Sequence, residues 1–316
     1  MPEPKEPVAP LLFTGKFSKP RPYPTPEADS RPLTPVQMVA EASAAVKAHI
    51  SRQPHVQRVF SFMPTLMTRV SPFHFRNKNT TKDWPLVRLD SGDHSGWGKM
   101  RVVGELLVIF DETVLFCLLA LMRRSRSEAF ETTEADICRL AKVTGSRANC
   151  NATWHSLQRL AGTRIDLALL SGRGKRKKTV RQMTGSILTY CDRNVDTGAV
   201  RIAVNPYFLQ MYGDSFVTNI DLSFRQGLKT DVAKALYRYL QGQVRTQLSL
   251  PVLQLARAVN LDMDAGEASA TEKVASGLKE LQARGYLIGH GIDTAGAVAI
   301  TKAPGVAIDQ GQASLG

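Results

Sequence analysis

TEADICRLAKVTGSRANCNATWHSLQRLAG, residues 133–162, holds two helical patterns separated by a short break. Thr133 with Asp136 three positions on is a capping-box start: the hydroxyl accepts an orphan N–H and the carboxylate reaches back. Ala135, Ile137, Leu140, Ala141 and Val143 supply the apolar positions of that short helix, and Thr144, Gly145 and Ser146 break it. The next helix, RANCNATWHSLQRLA, sets Cys150, Trp154, Leu157 and Ala161 on one stripe with Leu160 at its edge, and Gly162 stops it. Two helices joined this tightly predict a helix-turn-helix.

Upstream, ELLVIF (105–110) has the character of a strand, and Asp111 is the expected cap of ETVLFCLLALMRRSR. The acidic start of that helix and its finish at Arg123, Arg124 and Arg126 both suit the helix dipole. Downstream the period changes to two: TRIDLALL, the basic turn SGRGKRKK, TVRQMTGSILTY, a turn at Asp196 to Gly198, then VRIAVNPYF. Three helices followed by a β-ribbon with a basic tip predict a winged helix.

The plan recurs after a connector from Tyr207 to Phe224. KTDVAKALYRYLQGQV places Val232, Leu236, Tyr239 and Leu240 inward; Ser249 is the expected cap of LPVLQLARAVNL, with Pro251 in its first turn. Ser269 and Glu272 read as a capping box on SATEKVASGLKELQARG, whose inner stripe is Val274, Leu278 and Leu281, and Gly285 ends it. YLIGH and AVAIT then offer a short hairpin in the position of a wing. The expectation is a helix-rich α+β chain with two tandem winged helix-turn-helix domains behind a disordered Pro-rich leader. The predicted divisions are 1–55 (leader with a short helix at 37–50), 56–206 (first domain with an irregular extension), 207–302 (second domain) and 303–316 (flexible tail).

Of 316 residues, 41 are Lys or Arg and 28 Asp or Glu, a formal net charge of +13 with a pI near 9.8. Such an excess points to a polyanionic partner, since neutralising phosphates releases counterions. With 43% apolar and 22% charged residues a wholly disordered chain is excluded. The first 35 residues, however, carry ten of the seventeen prolines and few large apolar side chains. Cys117, Cys138, Cys150 and Cys191 form no C-x-x-C pair and read as buried thiols of a reducing cytoplasm. The opening MPEPKEPVAP lacks the pattern of a signal peptide, and Glu105, Asp111 and Glu112 interrupt the most apolar stretch, so no membrane association is expected.

In a helix-turn-helix the helix after the turn enters the major groove. Its predicted DNA-facing residues are Ser146, Arg147, Ala148, Asn151, His155 and Arg159. Arg can fork onto guanine, Asn pairs with adenine and Ala touches a thymine methyl; the plainer alternative is a solvated polar face. Arg173, Lys175, Arg176, Lys177 and Lys178, with Arg181 beside them, are expected to grip phosphate as the first wing, against the alternative of a solubilising loop. In the second repeat Lys273, Ser276, Lys279 and Gln282 occupy the corresponding face.

Catalytic machinery, metal and cofactor sites are not expected. The six histidines include no pair within five residues, GRGKRKKT lacks P-loop spacing, and no G-x-S-x-G elbow occurs. Tyr237 and Tyr239, the remaining candidates for a strand-nicking nucleophile, read as core and rim aromatics.

The runs DETVLFCLLALMRRS, TTEADICRLAKVTG, SRANCNATWHSLQRLAGTRIDL and DTGAVRIAVNPYFLQMY resemble the TrfA-like group of iteron-binding plasmid replication initiators. The linking stretch NPYFLQMYGDSFVTNIDLSFRQGLKTDVAKALYRYL and the closing LKELQARGYLIGH extend the likeness over roughly residues 100–302. The resemblance implies two winged-helix domains, binding to direct repeats in double-stranded origin DNA and opening of an adjacent AT-rich duplex. It also implies recruitment of the host replicative helicase and host initiator, and a homodimer through the first winged helix. A winged-helix transcriptional repressor, an autoregulatory one included, is the alternative, and a nicking enzyme is the third.

Overall fold

Alternating segments of period 3.6 and period 2 dictate helices packed on small antiparallel sheets, and the computed structural model has that form. It describes residues 59–69, 71–75, 87–88, 98–171, 178–211 and 217–303. The expected leader, the helix at 37–50, the basic tip from Arg173 to Lys177 and residues 304–316 of the tail lie outside these.

The chain runs through β1 (Phe60–Pro64), α1 (Thr65–Arg69), β2 (Val87–Arg88) and β3 (Gly98–Val103) into α2 (Ile109–Ser125). Then come β4 (Ala129–Thr133), α3 (Glu134–Leu140), α4 (Arg147–Gly162), β5 (Arg164–Ser171), β6 (Lys178–Ser186), β7 (Leu188–Arg193) and β8 (Ala199–Val204). A connector of α5 (Pro206–Met211), β9 (Val217–Asp221) and α6 (Leu222–Gly227) follows. The last elements are α7 (Asp231–Gln241), β10 (Gln247–Pro251), α8 (Val252–Ala258), α9 (Glu267–Ala283), β11 (Leu287–Ile292) and β12 (Ala297–Lys302).

Helix, strand, helix, helix and hairpin thus occur twice. The two three-stranded sheets have matching orders, β4-β8-β7 and β10-β12-β11, all antiparallel. Both central strands alternate in the same phase: Val200, Ile202 and Val204 face inward from β8, and Val298, Ile300 and Lys302 from β12. This is the expected pair of winged helices. Their helices close over a continuous core that includes Leu115, Leu118, Leu157 and Leu160 in the first module and Leu236, Leu255, Val274 and Leu278 in the second. Each such side chain contributes roughly 1.5–3 kcal/mol on burial.

Several boundaries differ from the sequence expectation. ELLVIF forms no named strand: Val108 makes a single parallel bridge to His74, and α2 begins at Ile109. Asp111 is therefore the third residue of α2, where its Oδ2 accepts the Val108 N–H at 2.8 Å. Ser249 is no cap but lies in β10 opposite Ala299, and α8 starts after Pro251. α9 starts at Glu267 behind Gly266, whose φ of 87° suits glycine, so Ser269 sits inside the first turn.

The largest correction concerns the first wing. β5 and β6, which flank the basic tip, belong to a separate sheet of order β2-β3-β5-β6. The wing that pairs with β4 is β7–β8, turned at Asn194–Gly198, where the Asn194 carboxamide accepts the Asp196 and Thr197 N–H groups at 3.0 Å. The basic hairpin is an insertion between α4 and the β7–β8 wing.

Candidate nucleic-acid interface

α4 is positioned from both ends. Ser146 caps it, accepting the Asn149 N–H at 3.4 Å, while the Asn149 amide reaches Thr144 O and Oγ1 at 2.8 Å, fixing the turn ahead of the helix. The buried face is rotated from the expected stripe: Thr153, Ser156, Leu157 and Leu160 are buried, whereas Cys150, Trp154 and Ala161 are only half-buried. Small polar side chains go inside because α3 crosses close by, with Cys138 Sγ and Thr153 Oγ1 3.4 Å apart. Hydrophobicity alone does not reveal such a seam.

The rotation leaves Ser146, Arg147, Ala148, Ala152, His155 and Gln158 exposed. His155 Nδ1 lies 3.1 Å from Gln158 Oε1. Ala152 and Gln158 were missed by the sequence reading, although Ala152 lies one turn beyond Ala148 on the same face. This face is one wall of an open groove of about 1000 Å³, whose opposite wall includes Gly104, Glu105, Val108 and Phe110.

Besides the cap Ser146, two expected DNA-facing residues are engaged within the protein. Arg159 makes a two-pronged ion pair with Asp111, Nη2 to Oδ1 at 2.6 Å and Nε to Oδ2 at 3.0 Å. The Asp111 side chain is fully buried and that of Arg159 only 16% exposed. Burial disfavours the guanidinium charge, but the Asp111 hydrogen bonds and charge outweigh it and raise the Arg159 pKa. Asn151 Oδ1 accepts from Arg193 Nη2 at 3.2 Å. Arg193 is itself paired with Glu134 (Nε to Oε1, 2.9 Å) and lies over the Trp154 ring at 5.7 Å. Burial pushes the Glu134 carboxyl up, with Arg193 pulling against it. Arg193 so joins the wing strand to both helices of the helix-turn-helix. Asn151 and Arg159 hold α4 in place, and the exposed remainder faces outward.

In the second module Lys273, Ser276, Lys279 and Gln282 are all exposed along α9, as the sequence reading placed them; Gln282 Nε2 also reaches Ile288 O at 3.4 Å. Glu280 on the same helix accepts from Thr230 N at 3.2 Å, Thr230 Oγ1 at 2.7 Å and Lys229 N. Burial would raise its pKa, but those hydrogen bonds hold it below the ordinary value. α9 is thereby tied to the start of α7. Of the basic hairpin, Lys178 opens β6 and Arg181 lies within it opposite Leu169; the other tip residues lie outside the described residues.

The two tyrosines weighed as strand-nicking nucleophiles are buried. Tyr237 and Tyr239 are 2% and 8% exposed, and the Tyr237 hydroxyl accepts the Asp221 N–H at 3.1 Å within a cluster with Phe224 and Tyr286. Burial pushes the Cys117 thiol up to about 12 and makes it a packing residue. No helix among the described residues is long and apolar enough to cross a membrane. The arrangement presents two exposed polar helices, each braced by a sheet and by a shorter helix.

The fold is similar to that in a crystal structure of domains 2 and 3 of RctB, with a TM-score of 0.53 at 13% identity over 76% of this chain and 98% of that one. A second structure of RctB domains 2–3 aligns at TM-score 0.48 and 11% identity, over 75% and 96% of the two chains. A crystal structure of Pi initiator protein in complex with iteron DNA aligns at 0.40 and 14%, over 61% and 90%. No protein-family model and no curated protein matches the sequence.

Proposed function

We propose that this chain is a non-enzymatic plasmid replication initiator of the cytoplasm. On this reading its two modules, residues 56–206 and 207–302, bind direct repeats in double-stranded origin DNA. The observation that carries the reading is the duplication: two winged helices each leave the helix after the turn with an exposed polar face, Arg147 to His155 on α4 and Lys273 to Gln282 on α9. The net charge of +13 supplies the nonspecific attraction. Arg147, Ala148, Ala152 and His155 read base edges, and the basic hairpin with Arg173, Lys175, Arg176, Lys177, Lys178 and Arg181 adds phosphate contacts. Opening of the AT-rich duplex, recruitment of the host helicase and initiator, and a homodimer through the first winged helix complete the proposal, resting on the family resemblance.

Footprinting the purified protein on the DNA that flanks its own gene tests it. Protection of tandem direct repeats beside an AT-rich stretch is expected. Protection of an inverted repeat would point to a two-fold symmetric repressor, and an absence of protection would remove the proposal.

A further inference from the structure

We propose that a buried Arg225–Glu112–Arg238 cluster fixes the distance and angle between the two reading helices, so that the protein measures the spacing within its DNA site. The inference rests on the DNA-reading proposal and adds to it a set of positioning residues.

Glu112 comes from the first helix of the first module, Arg225 from the connector helix α6 and Arg238 from the first helix of the second module. All three side chains are completely buried, with Arg225 Nη2 to Glu112 Oε2 and Arg238 Nη1 to Glu112 Oε1 both 2.5 Å. Arg225 Nη1 donates to Thr113 Oγ1 at 2.7 Å, its guanidinium lies 5.0 Å from the Phe116 ring centre, and Arg238 Nη1 also reaches Ser71 Oγ. Asn260, beyond α8, donates to the backbone oxygens of Ser71 and Phe73, the latter at 3.0 Å. One carboxylate thus holds two guanidinium groups that would otherwise repel each other in the core.

Apolar packing tolerates sliding. A buried carboxylate that bridges two guanidinium groups does not, because any displacement leaves an ion without its partner in a poor solvent. The same joint is clipped at its rim by α6. Gln226 donates to Leu140 O at the end of α3, and Gly227 O accepts from Arg284 at the end of α9. Neighbouring residues of one short helix therefore touch the helix-turn-helix of the first module and the reading helix of the second. Lys142 Nζ, in the turn before α4, adds a bond to Ser223 O at 3.3 Å.

A rigid pair of reading heads gains avidity only where both heads find their grooves, whereas a flexible pair tolerates altered spacing. The test uses the duplex that the wild-type protein selects from a random pool, together with versions carrying inserts of up to a half-turn (about 5 base pairs) between the two contacted grooves. Wild type is expected to lose about a hundredfold in affinity on insertion. Glu112→Gln leaves the two arginines facing each other without a carboxylate and is expected to lose less than about threefold, with native circular dichroism. Gln226→Ala/Arg284→Ala loosens the rim without unpairing a buried charge and is expected to flatten the spacing profile in part, which decides the matter if Glu112→Gln fails to fold. A wild-type profile in folded Glu112→Gln, or in the rim variant when Glu112→Gln is unfolded, overturns the inference. Wild-type protein that binds its duplex but ignores inserts overturns it too, and wild type that selects no sequence removes the DNA-reading proposal itself.

Discussion

The two winged helices share a backbone plan and differ in what is done with their polar residues. In the first, α4 is anchored at both ends: Ser146 caps it, Arg159 is paired with buried Asp111, and Arg193 binds Asn151 and Glu134 from the wing strand. In the second, α9 starts at uncapped Gly266, and its polar face, with Lys273, Ser276 and Lys279 exposed, is committed to the scaffold mainly through Glu280. The comparison teaches that the position of a polar residue on a reading helix does not settle its work. On α4 three of the six expected contacts, Ser146, Asn151 and Arg159, hold the helix in place. On α9 all four stay exposed.

If the first module is the braced one, cutting a brace should harm stability more than any change on the α9 face. Arg159→Ala strands the Asp111 carboxylate in the core and is expected to cost about 3 kcal/mol or more by urea unfolding. Lys279→Ala should stay within about 0.5 kcal/mol. The second module relies on close helix approach instead. A Cβ on Gly277 would lie 2.8 Å from Leu236 Cδ1, 3.0 Å from Val232 Cγ1 and 3.3 Å from the Ala233 nitrogen. Gly277→Val should therefore destabilise by about 2 kcal/mol or more, read as a lowered Tm.

The modules should also differ on DNA. Arg147→Ala is expected to relax sequence preference by roughly 1 to 3 kcal/mol in competition binding. Lys273→Ala and Lys279→Ala should each weaken binding to every sequence alike and reduce the salt slope by about 1. Equal losses on all DNA from both sets would erase the distinction between base reading by Arg147 and phosphate gripping by Lys273 and Lys279.

An effect visible only as pH changes comes from the one inward position of the paired central strands where the modules differ in charge, Val204 in β8 and Lys302 in β12. Lys302 is buried, its ammonium donating to Leu240 O at 3.2 Å and Gln243 O at 2.6 Å at the end of α7. Burial lowers its pKa from 10.5 to about 8. Between those values the unfolded chain binds more protons than the folded one. This group's contribution to stability therefore rises with pH across that window and is flat below it. Unfolding of wild type and Lys302→Met at several pH values should diverge by up to about 3 kcal/mol across the window, in favour of wild type as pH rises.

Much of the plan was legible in the sequence, because caps and periodicity act locally. Thr133 caps α3 as expected, Gly162 ends α4, and Val274, Leu278 and Leu281 face inward from α9. What was not legible depends on distant partners. β4 and β10 are five-residue strands defined by pairing with β8 and β12, so Ser249 was mistaken for a cap. The basic hairpin was given the role of wing by its charge, yet its sheet partners lie at β2 and β3, far upstream. Asp111 and Arg159 meet across 48 positions, and Arg238 and Glu112 across 126, separations at which no spacing rule operates. The acidic start of α2, read as suiting the helix dipole, proved to be the anchor of both ion-pair systems.

Photo-crosslinking from positions 148 and 276 to the selected duplex tests the central claim most directly. Crosslinks from both positions to base edges of two major grooves about one helical turn apart are predicted. Crosslinks from one position alone, or from neither while binding persists, would contradict the assignment of α4 and α9 as paired reading helices.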